Sequence, residues 1–228
     1  METKTVAPSA SSPRKRGRPP KLSQAEVSKL KQAILHAAEG EFGIKGFDGA
    51  SLIAIAKEAD VTQPLIHYHY SNKLELWNAV IRSLFGTLEE KLSELDIAEI
   101  TPQLAQDLDQ KTAFAALSQL TGNFIEFSSK RPALAQIMFH EMSNPGIRAE
   151  FLRKNYVARL EDQMRLLTNV ATSSNKSKHE FSTLFTIYLG ACMSPFLHAS
   201  YIEAETKLDV HTAGVWKEIR QTALKLFA

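Results

Sequence analysis

Residues 51–73 read SLIAIAKEADVTQPLIHYHYSNK, a stretch with the pattern of two short helices joined by a tight turn. Ser51 is a favourable N-cap, because its hydroxyl can accept one of the N–H groups that a helix start leaves unpaired. Leu52, Ile55 and Ala56 follow at helical spacing and give the first helix one face that can be buried. The sequence therefore predicts a helix that begins just after Ser51.

The second helix follows a turn at Asp60, a residue type that tolerates left-handed backbone geometry better than most. Thr62 can cap this helix, and Pro64 falls in its first turn, where a missing N–H does no harm. Ile66 and Tyr70 are four residues apart and can both face inward. The other side chains of this helix are therefore left to face solvent.

The outward face of the second helix carries rings and hydrogen-bond donors but no carboxylate. Such a surface suits DNA, whose phosphates and base edges are recognised through donors and apolar contacts. The residues predicted to bind DNA are Ser51, Thr62, Gln63, Pro64, Leu65, His67, Tyr68, His69 and Lys73. Among them, Gln63 is placed to read a base edge, and Lys73 to hold a phosphate.

This stretch resembles the helix-turn-helix of the tetracycline-repressor (TetR) family of transcriptional regulators. The preceding AILHAAEGEFGIKGFDGAS, residues 33–51, resembles the first helix of that family and its glycine-aromatic connector, here Gly46-Phe47. The match covers about residues 30–76, and some dozen positions agree in order, so the motif is specific as a whole.

Two positions depart from the family pattern, since Asp60 stands where glycine is usual and His67 where tyrosine, a common phosphate contact, is usual. The resemblance implies a homodimer that binds a palindromic operator in double-stranded DNA and is released by a small organic effector. It also implies a prokaryotic, cytoplasmic protein that is nucleoid-associated when bound. Repression is the expected activity, and activation is the alternative.

The first folded helix is predicted to begin at a capping box formed by Ser23 and Glu26. Gly43 and Gly46 are expected to end this helix and to turn the chain into the motif. No strand pattern or repeat follows, so we predict an all-α protein of about nine helices. The expected parts are a disordered basic arm over residues 1–22, a helix-turn-helix domain over 23–72 and a helical effector-binding and dimerisation domain over 73–228.

Residues 1–22 hold six Lys/Arg and one acid, a net charge of +5 in a chain of +2, so the remaining residues carry −3. Small residues, prolines and like charges predict disorder in this arm. Its Gly-Arg-Pro core resembles an AT-hook, which follows the narrow minor groove of A·T-rich DNA. The basic residues concerned are Arg14, Lys15, Arg16, Arg18 and Lys21. A solubilising tail and a nuclear localisation signal are the alternatives.

Several kinds of site have no signature in the sequence. There is no Gly-rich phosphate loop, CxxC pair or HExxH motif, and His67 and His69 point too far apart on one helix to share a metal. Cys192 is the one cysteine, which excludes an intrachain disulfide. The most apolar run, residues 184–197, is too short to span a bilayer. We therefore predict no metal, cofactor, membrane contact or enzyme activity.

The central helices combine bulky, adaptable side chains with a few polar ones, as in an apolar cavity with sparse polar anchors. The residues are Asn123, Phe124, Phe127, Met138, Phe139, His140, Met142, Tyr156, Arg159, Gln163, Tyr188 and Met193. Any one of them alone is more often core packing than a ligand contact. The resemblance implies that this region holds the effector, and the composition favours an apolar or amphipathic organic molecule.

The last two helices, expected over residues 180–204 and 210–227 with a kink at Pro195, are unusually apolar. Their stripes consist of Phe181, Leu184, Phe185, Tyr188, Cys192, Phe196, Val215, Ile219, Ala223 and Leu226. These stripes form either internal core or a dimer interface in which two helices per subunit build a four-helix bundle. The resemblance implies the dimer.

Two other functions stay open on the sequence alone. An architectural DNA binder would use the arm and the motif without operator preference and without an effector. A ligand-binding or catalytic helical protein could carry the motif without binding DNA.

Overall fold

The computed structural model describes residues 23–93 and 100–227, and the basic arm with its AT-hook-like core lies outside these ranges. The first helices are α1 (Gln24–Gly49), α2 (Leu52–Glu58), α3 (Gln63–Tyr70), α4 (Lys73–Ser93), α5 (Pro102–Gln106), α6 (Gln110–Lys130) and α7 (Ala133–Ser143). They are followed by α8 (Ile147–Leu152), a π turn (Arg153–Val157), α9 (Ala158–Ala171), α10 (Lys178–Leu197), α11 (Ala199–Thr206), α12 (Ala213–Leu224) and a 3-10 turn (Lys225–Phe227).

The described ranges contain no strand, which confirms the predicted all-α fold. Counting α8, the π turn and α9 as one continuous helix, they hold eleven α-helices, roughly the nine predicted. The additional ones are α5 and α11, which are too short to give a clear periodicity in the sequence.

α1 begins at the predicted capping box, in which Glu26 N–H donates to Ser23 Oγ at 3.3 Å and Ser23 N–H donates to Glu26 Oε2 at 2.8 Å. The helix is interrupted at Gly46, whose φ of 66° and ψ of 176° are open essentially to glycine alone. Gly43 was expected to help end α1, but it lies inside the helix. A Cβ there would lie 2.5 Å from Gln136 Oε1, so the missing side chain lets α1 pack closely on α7.

The helix-turn-helix has the predicted local geometry. Ser51 caps α2 by accepting a hydrogen bond from Ala54 N–H at 3.4 Å, and Asp60 in the turn has a φ of 52°. Thr62 stands at the N-cap of α3, although its hydroxyl makes no capping bond. Ile66 is the buried residue of α3. Local hydrogen bonds and this one buried side chain therefore set how α3 projects from the domain.

The predicted helix over residues 180–204 is divided into α10 and α11. α10 starts with a capping box, in which Glu180 N–H donates to Ser177 Oγ at 3.4 Å. Pro195 lies in its last turn and lacks the N–H that would bond the preceding turn. The backbone then leaves helical geometry at His198, with φ −113° and ψ 23°. The chain thus breaks the helix three residues after Pro195, the residue at which a kink was predicted.

One core runs from α1 to α12 and joins the motif to the rest of the chain. At the junction, Arg131 makes a two-pronged ion pair with Glu39 of α1, and the Nε–Oε1 prong measures 2.7 Å. Glu39 is only 8% exposed, and its hydrogen bonds raise the pKa of Arg131. Trp77 of α4 lies against Phe47 and Phe151, with ring centroids 6.4 Å and 6.2 Å away. The helix-turn-helix part is therefore packed directly on the C-terminal helices.

The apolar stripes predicted as a dimer interface are used inside the chain. Phe181, Phe185, Tyr188, Cys192, Phe196 and Ala223 are buried, and Leu184, Val215, Ile219 and Leu226 are half-buried against the core. Phe227, just after α12, stacks on Phe181 at 6.0 Å and lies 5.0 Å from Tyr188 between ring centroids. Assigning the six buried residues to a dimer contact is wrong, because side chains enclosed within one chain cannot meet a second copy.

Candidate nucleic-acid interface and effector cavity

The motif residues predicted to bind DNA lie together on α3 and at its two ends. Thr62, Pro64, His67 and Tyr68 are exposed, and Gln63, Leu65, His69 and Lys73 are partly exposed. Tyr68 has 81% of its surface exposed, which is unusual for a large aromatic side chain in a folded domain. Because α3 contains no Asp or Glu, this face presents rings, amides and imidazoles to solvent.

The two histidines of α3 have different surroundings. His67 Nδ1 lies 3.1 Å from the Ser71 carbonyl, which can only accept, so Nδ1 carries the proton and Nε2 is left for an outside partner. Partial burial, together with the charge of Lys31, lowers the pKa of His69. Lys31 of α1 is therefore a cation close to the same face. Lys31 could not be singled out from the sequence, because one lysine on a solvated helix face has no distinguishing pattern.

Lys73 is held at the start of α4 by the connector, here defined as residues 46–48, which follow the break near the end of α1. Its Nζ donates to the Asp48 carbonyl at 3.2 Å and lies 4.9 Å from the centroid of the Phe47 ring. Asn72 accepts a hydrogen bond from Glu75 N–H at 2.9 Å and so caps α4. The cation thus stands beside a helix N-terminus, where the helix dipole also favours an anion.

The N–H group of Ser51 at the start of α2 is less accessible to a phosphate than the start of α4, because it already has a partner. Ser51 N–H donates to Glu41 Oε1 at 3.0 Å, and Lys45 Nζ lies 2.8 Å from the same oxygen. Burial raises the pKa of Glu41, but the hydrogen bonds from Lys45 and Ser51 outweigh burial, and the pKa is lowered. A charged carboxylate therefore stands beside Ser51, and DNA would have to displace it to reach this N–H.

A small apolar cavity of about 30 Å³ lies between α4, α6, α7, α10 and the helix that contains the π turn. It is lined by Phe85, Leu88, Phe124, Leu134, Met138, Tyr156, Val157, Leu160, Phe185, Leu189 and Met193. An adjoining groove of about 380 Å³ shares Phe85, Leu88, Tyr156 and Leu160, and adds Glu89, Leu92, Ser93, Leu120, Arg159 and Gln163. Together they make an apolar interior with a more polar mouth.

The structure brings part of the predicted effector set to this place. Phe124, Met138, Tyr156 and Met193 line the cavity, Arg159 and Gln163 line the groove, and Met142 lines a separate groove beside α8. Phe127 and Tyr188 are buried outside the cavity wall, Phe139 is exposed, Asn123 donates to the Lys91 carbonyl at 3.3 Å, and the His140 ring faces Gly46. Sequence reasoning missed Phe85 and Leu88, because an apolar stripe does not reveal that its helix walls a cavity.

The π turn forms part of the cavity wall through Tyr156 and Val157. Tyr156 stacks on Phe85 of α4, with ring centroids 4.1 Å apart and an interplanar angle of 13°. Single π turns inside α-helices are frequently found at functional sites. The stacked rings therefore connect the cavity wall to α4, which begins at Lys73 shortly after α3.

Within residues 23–93 and 100–227, no group of three or more His, Cys, Asp or Glu side chains could hold a metal ion. Burial raises the pKa of the Cys192 thiol to about 12, so this thiol stays protonated at neutral pH and is a poor nucleophile. As a separate point, none of the helices in the described ranges has the length and apolar character needed to cross a membrane.

The fold places a helix-turn-helix with an exposed α3 at the start of the described residues, and further helices follow it. Residues 34–80 match the family described as bacterial regulatory proteins, tetR family. The matched residues run from within α1 to within α4 and so contain the whole helix-turn-helix.

Curated relatives and solved structures also resemble this chain. The protein named "Probable acrEF/envCD operon repressor" of Escherichia coli K12 is 27% identical over 121 residues, 53% of this chain and 52% of that protein. The transcriptional regulator SrpR of Pseudomonas putida is 37% identical over 65 residues, 28% of this chain and 30% of that protein. The chain thus spans about half, or less, of the curated relatives it matches. A TetR-like transcriptional regulator from Rhodococcus sp. RHA1 shares the fold, with a TM-score of 0.59 and 20% identity over 91% of this chain and 96% of that one.

Proposed function

We propose that this protein is a homodimeric, sequence-specific DNA-binding regulator that represses transcription until a small organic effector releases it. The observation that carries the proposal is the exposed, carboxylate-free face of α3, flanked by Lys31 and Lys73. In this reading the protein works in the cytoplasm and associates with the nucleoid when bound. Selection of bound sequences from a random DNA pool tests it. We expect a palindrome whose half-sites lie about one helical turn, roughly 34–36 Å, apart.

A dimer would place its two α3 helices in successive major grooves, and an exposed stripe on α10 can supply the contact. Thr183, Ile187, Gly190 and Ser194 are all exposed and are separated by four, three and four residues, so they share one side of the helix. Gly190 and Ser194 are small enough to let a second helix approach closely. This stripe replaces the buried residues for which the family resemblance implied a dimer contact.

The effector is proposed to occupy the cavity and the adjoining groove. Support comes from the apolar lining, the few polar groups at the mouth and the direct contact with α4 through Phe85. A ligand shifts the protein between two states only as far as it binds them with different affinity. Separation of Phe85 from Tyr156 would move α4 and change the spacing of the two α3 helices. We therefore expect an apolar or amphipathic organic molecule.

Replacing Gln63 or Lys73 by alanine separates base reading from phosphate binding. We expect Gln63→Ala to relax the preference at one operator position by about 1–3 kcal/mol, because one base edge loses its partner. Lys73→Ala should weaken all sequences about equally and lower the log–log salt slope by about 0.9, since one phosphate contact is lost. Affinity measured over single-base operator variants checks both. A changed sequence preference with Lys73→Ala alone would reverse the two assignments.

An effector should raise the melting temperature, because it binds the folded state and not the unfolded chain, and it should weaken operator binding. A thermal screen of apolar and amphipathic compounds measures the first effect, and operator titration the second. Leu160→Glu puts a charge in the half-buried cavity wall and should abolish both effects. Ile147→Glu, on the surface, is the matched control. Stabilisation without any change in DNA affinity would show that the cavity is not an allosteric site.

The basic arm is proposed to bind the minor groove beside each half-site. Deleting residues 1–21 removes Arg14, Lys15, Arg16, Arg18 and Lys21. We expect affinity to fall by about tenfold or more and the salt slope to become shallower, because each neutralised phosphate contributes about 0.9 to that slope. The preference for A·T pairs in the flanks should fade, while the palindrome is retained. Unchanged affinity, slope and flank preference would leave the arm as a solubilising tail.

A further inference from the structure

The connector, residues 46–48 near the end of α1, contacts a cation on each of two sides. Lys73, on the DNA-facing side, lies 4.9 Å from the Phe47 ring centroid and donates to the Asp48 carbonyl at 3.2 Å. Arg148 at the start of α8 lies 4.0 Å from the same centroid, and its Nη2 is 3.6 Å from Asp48 Oδ2. The connector therefore joins a DNA-facing lysine to an arginine of the C-terminal part.

Arg148 is itself fixed by a buried partner. Its Nε donates to Glu141 Oε1 at 2.9 Å, and the Glu141 side chain is only 3% exposed. A guanidinium anchored on a buried carboxylate has little freedom, and its planar group can stack on a ring in one orientation. The buried Glu141 thus fixes the position of the Arg148 guanidinium against the connector. Lys73 has a flexible side chain and does not fix its own position.

The position of the Arg148 contact in the fold is also informative. Arg148 lies on the helix that continues through the π turn, where Tyr156 lines the cavity. The connector it holds starts at Gly46, whose backbone is locked in a conformation open essentially to glycine. One helix therefore runs from the cavity wall to the support of the DNA-facing lysine, separately from α4.

We propose that Arg148 is a positioning residue for DNA binding, which holds Phe47 and Asp48 and thereby keeps Lys73 where it meets a phosphate. This inference rests on the proposed DNA-binding function. It adds a contribution from a residue that touches no DNA itself and belongs to the C-terminal part of the chain. Arg148 and Lys73 should consequently act as one unit in DNA binding.

A double-mutant cycle on the full chain tests this, with the palindrome selected from the random pool as the probe. Arg148→Lys keeps a charge for Glu141 but loses the planar group over Phe47. We expect Arg148→Lys to lower affinity about three- to tenfold and to lower the salt slope by about 0.9, as Lys73→Ala does. The double variant should be no weaker than Lys73→Ala alone, because the same phosphate contact is lost once. Arg153→Lys, an exposed arginine on the same helix that pairs with Glu150, is the matched control and should change neither.

Asp48→Ala provides a second variant that is safe for folding, because the Asp48 side chain is 90% exposed. Asp48→Ala should lower operator affinity less than Arg148→Lys does. Combined with Lys73→Ala, it should cause no further loss of affinity. The inference would be overturned if the losses of affinity from the single substitutions multiplied in both double variants. It would also be overturned if Arg148→Lys kept the affinity and the salt slope of the wild type. Either result would leave the proposed function intact. A wild-type protein that selects no DNA sequence would reject both.

Discussion

Ile187→Glu should lower operator affinity by a factor of about 10²–10⁴, because it separates the two copies and each α3 must then bind its half-site alone. Ile187 is 53% exposed at the centre of the small-residue stripe on α10, so a charge there is tolerated in the single chain. In a dimer the same charge would be buried without a partner, which is strongly unfavourable. Light scattering at micromolar concentration and titration of the palindrome measure the two consequences.

Leu104→Glu is the control for this variant, since Leu104 is also an exposed apolar residue but belongs to α5, which packs on α9. It should leave both the mass and the operator affinity unchanged. A wild-type chain that is monomeric, or an Ile187→Glu chain that still forms dimers, would show that this stripe is not the contact.

Arg131→Ala should lower the free energy of unfolding by about 3–5 kcal/mol, because it leaves the buried Glu39 carboxylate without its partner. The pair ties α1 to the end of α6, so the loss falls on the junction between the motif and the C-terminal helices. Urea denaturation measures the change. Adding Glu39→Gln to Arg131→Ala should recover a large part of the loss, since an uncharged amide is much less costly to bury than a carboxylate.

Lys130→Ala is the matched control one residue away. Lys130 pairs with Glu126 on the exposed face of α6, so its removal should cost about 0.5 kcal/mol or less. A similar cost for Arg131→Ala and Lys130→Ala would mean that the Glu39 pair contributes no more than a surface ion pair.

The motif was predictable because its geometry follows from neighbouring residues in sequence. Ser51 caps α2 through a hydroxyl three residues from its partner, and Asp60 takes the left-handed turn that a short polar side chain tolerates. Gly46 likewise marks a real break in α1. Such features depend on local hydrogen bonds and backbone sterics, which residue type controls directly.

The features that could not be predicted correctly from the sequence depend on which surfaces pack together in the folded chain. Phe181 and Tyr188 carry a clear apolar period, but the period is the same whether the stripe packs on Phe227 of its own chain or on a second copy. The π turn at Tyr156 and the approach of Gly43 to α7 leave no periodic signal either. For the cavity, composition pointed to the right helices, while the contribution of Phe85 required the packing of α4 to be known.

The most direct test of the central claim is a titration of the full chain onto the selected palindrome and onto a second duplex in which the half-sites are moved apart by about five base pairs, half a helical turn. Two chains should bind the palindrome together. The second duplex should bind at least about 10²-fold more weakly, because two α3 helices fixed in a dimer cannot reach both half-sites on one face of the DNA. Equal affinity for the two duplexes, or for DNA of random sequence, would contradict an operator-binding dimer.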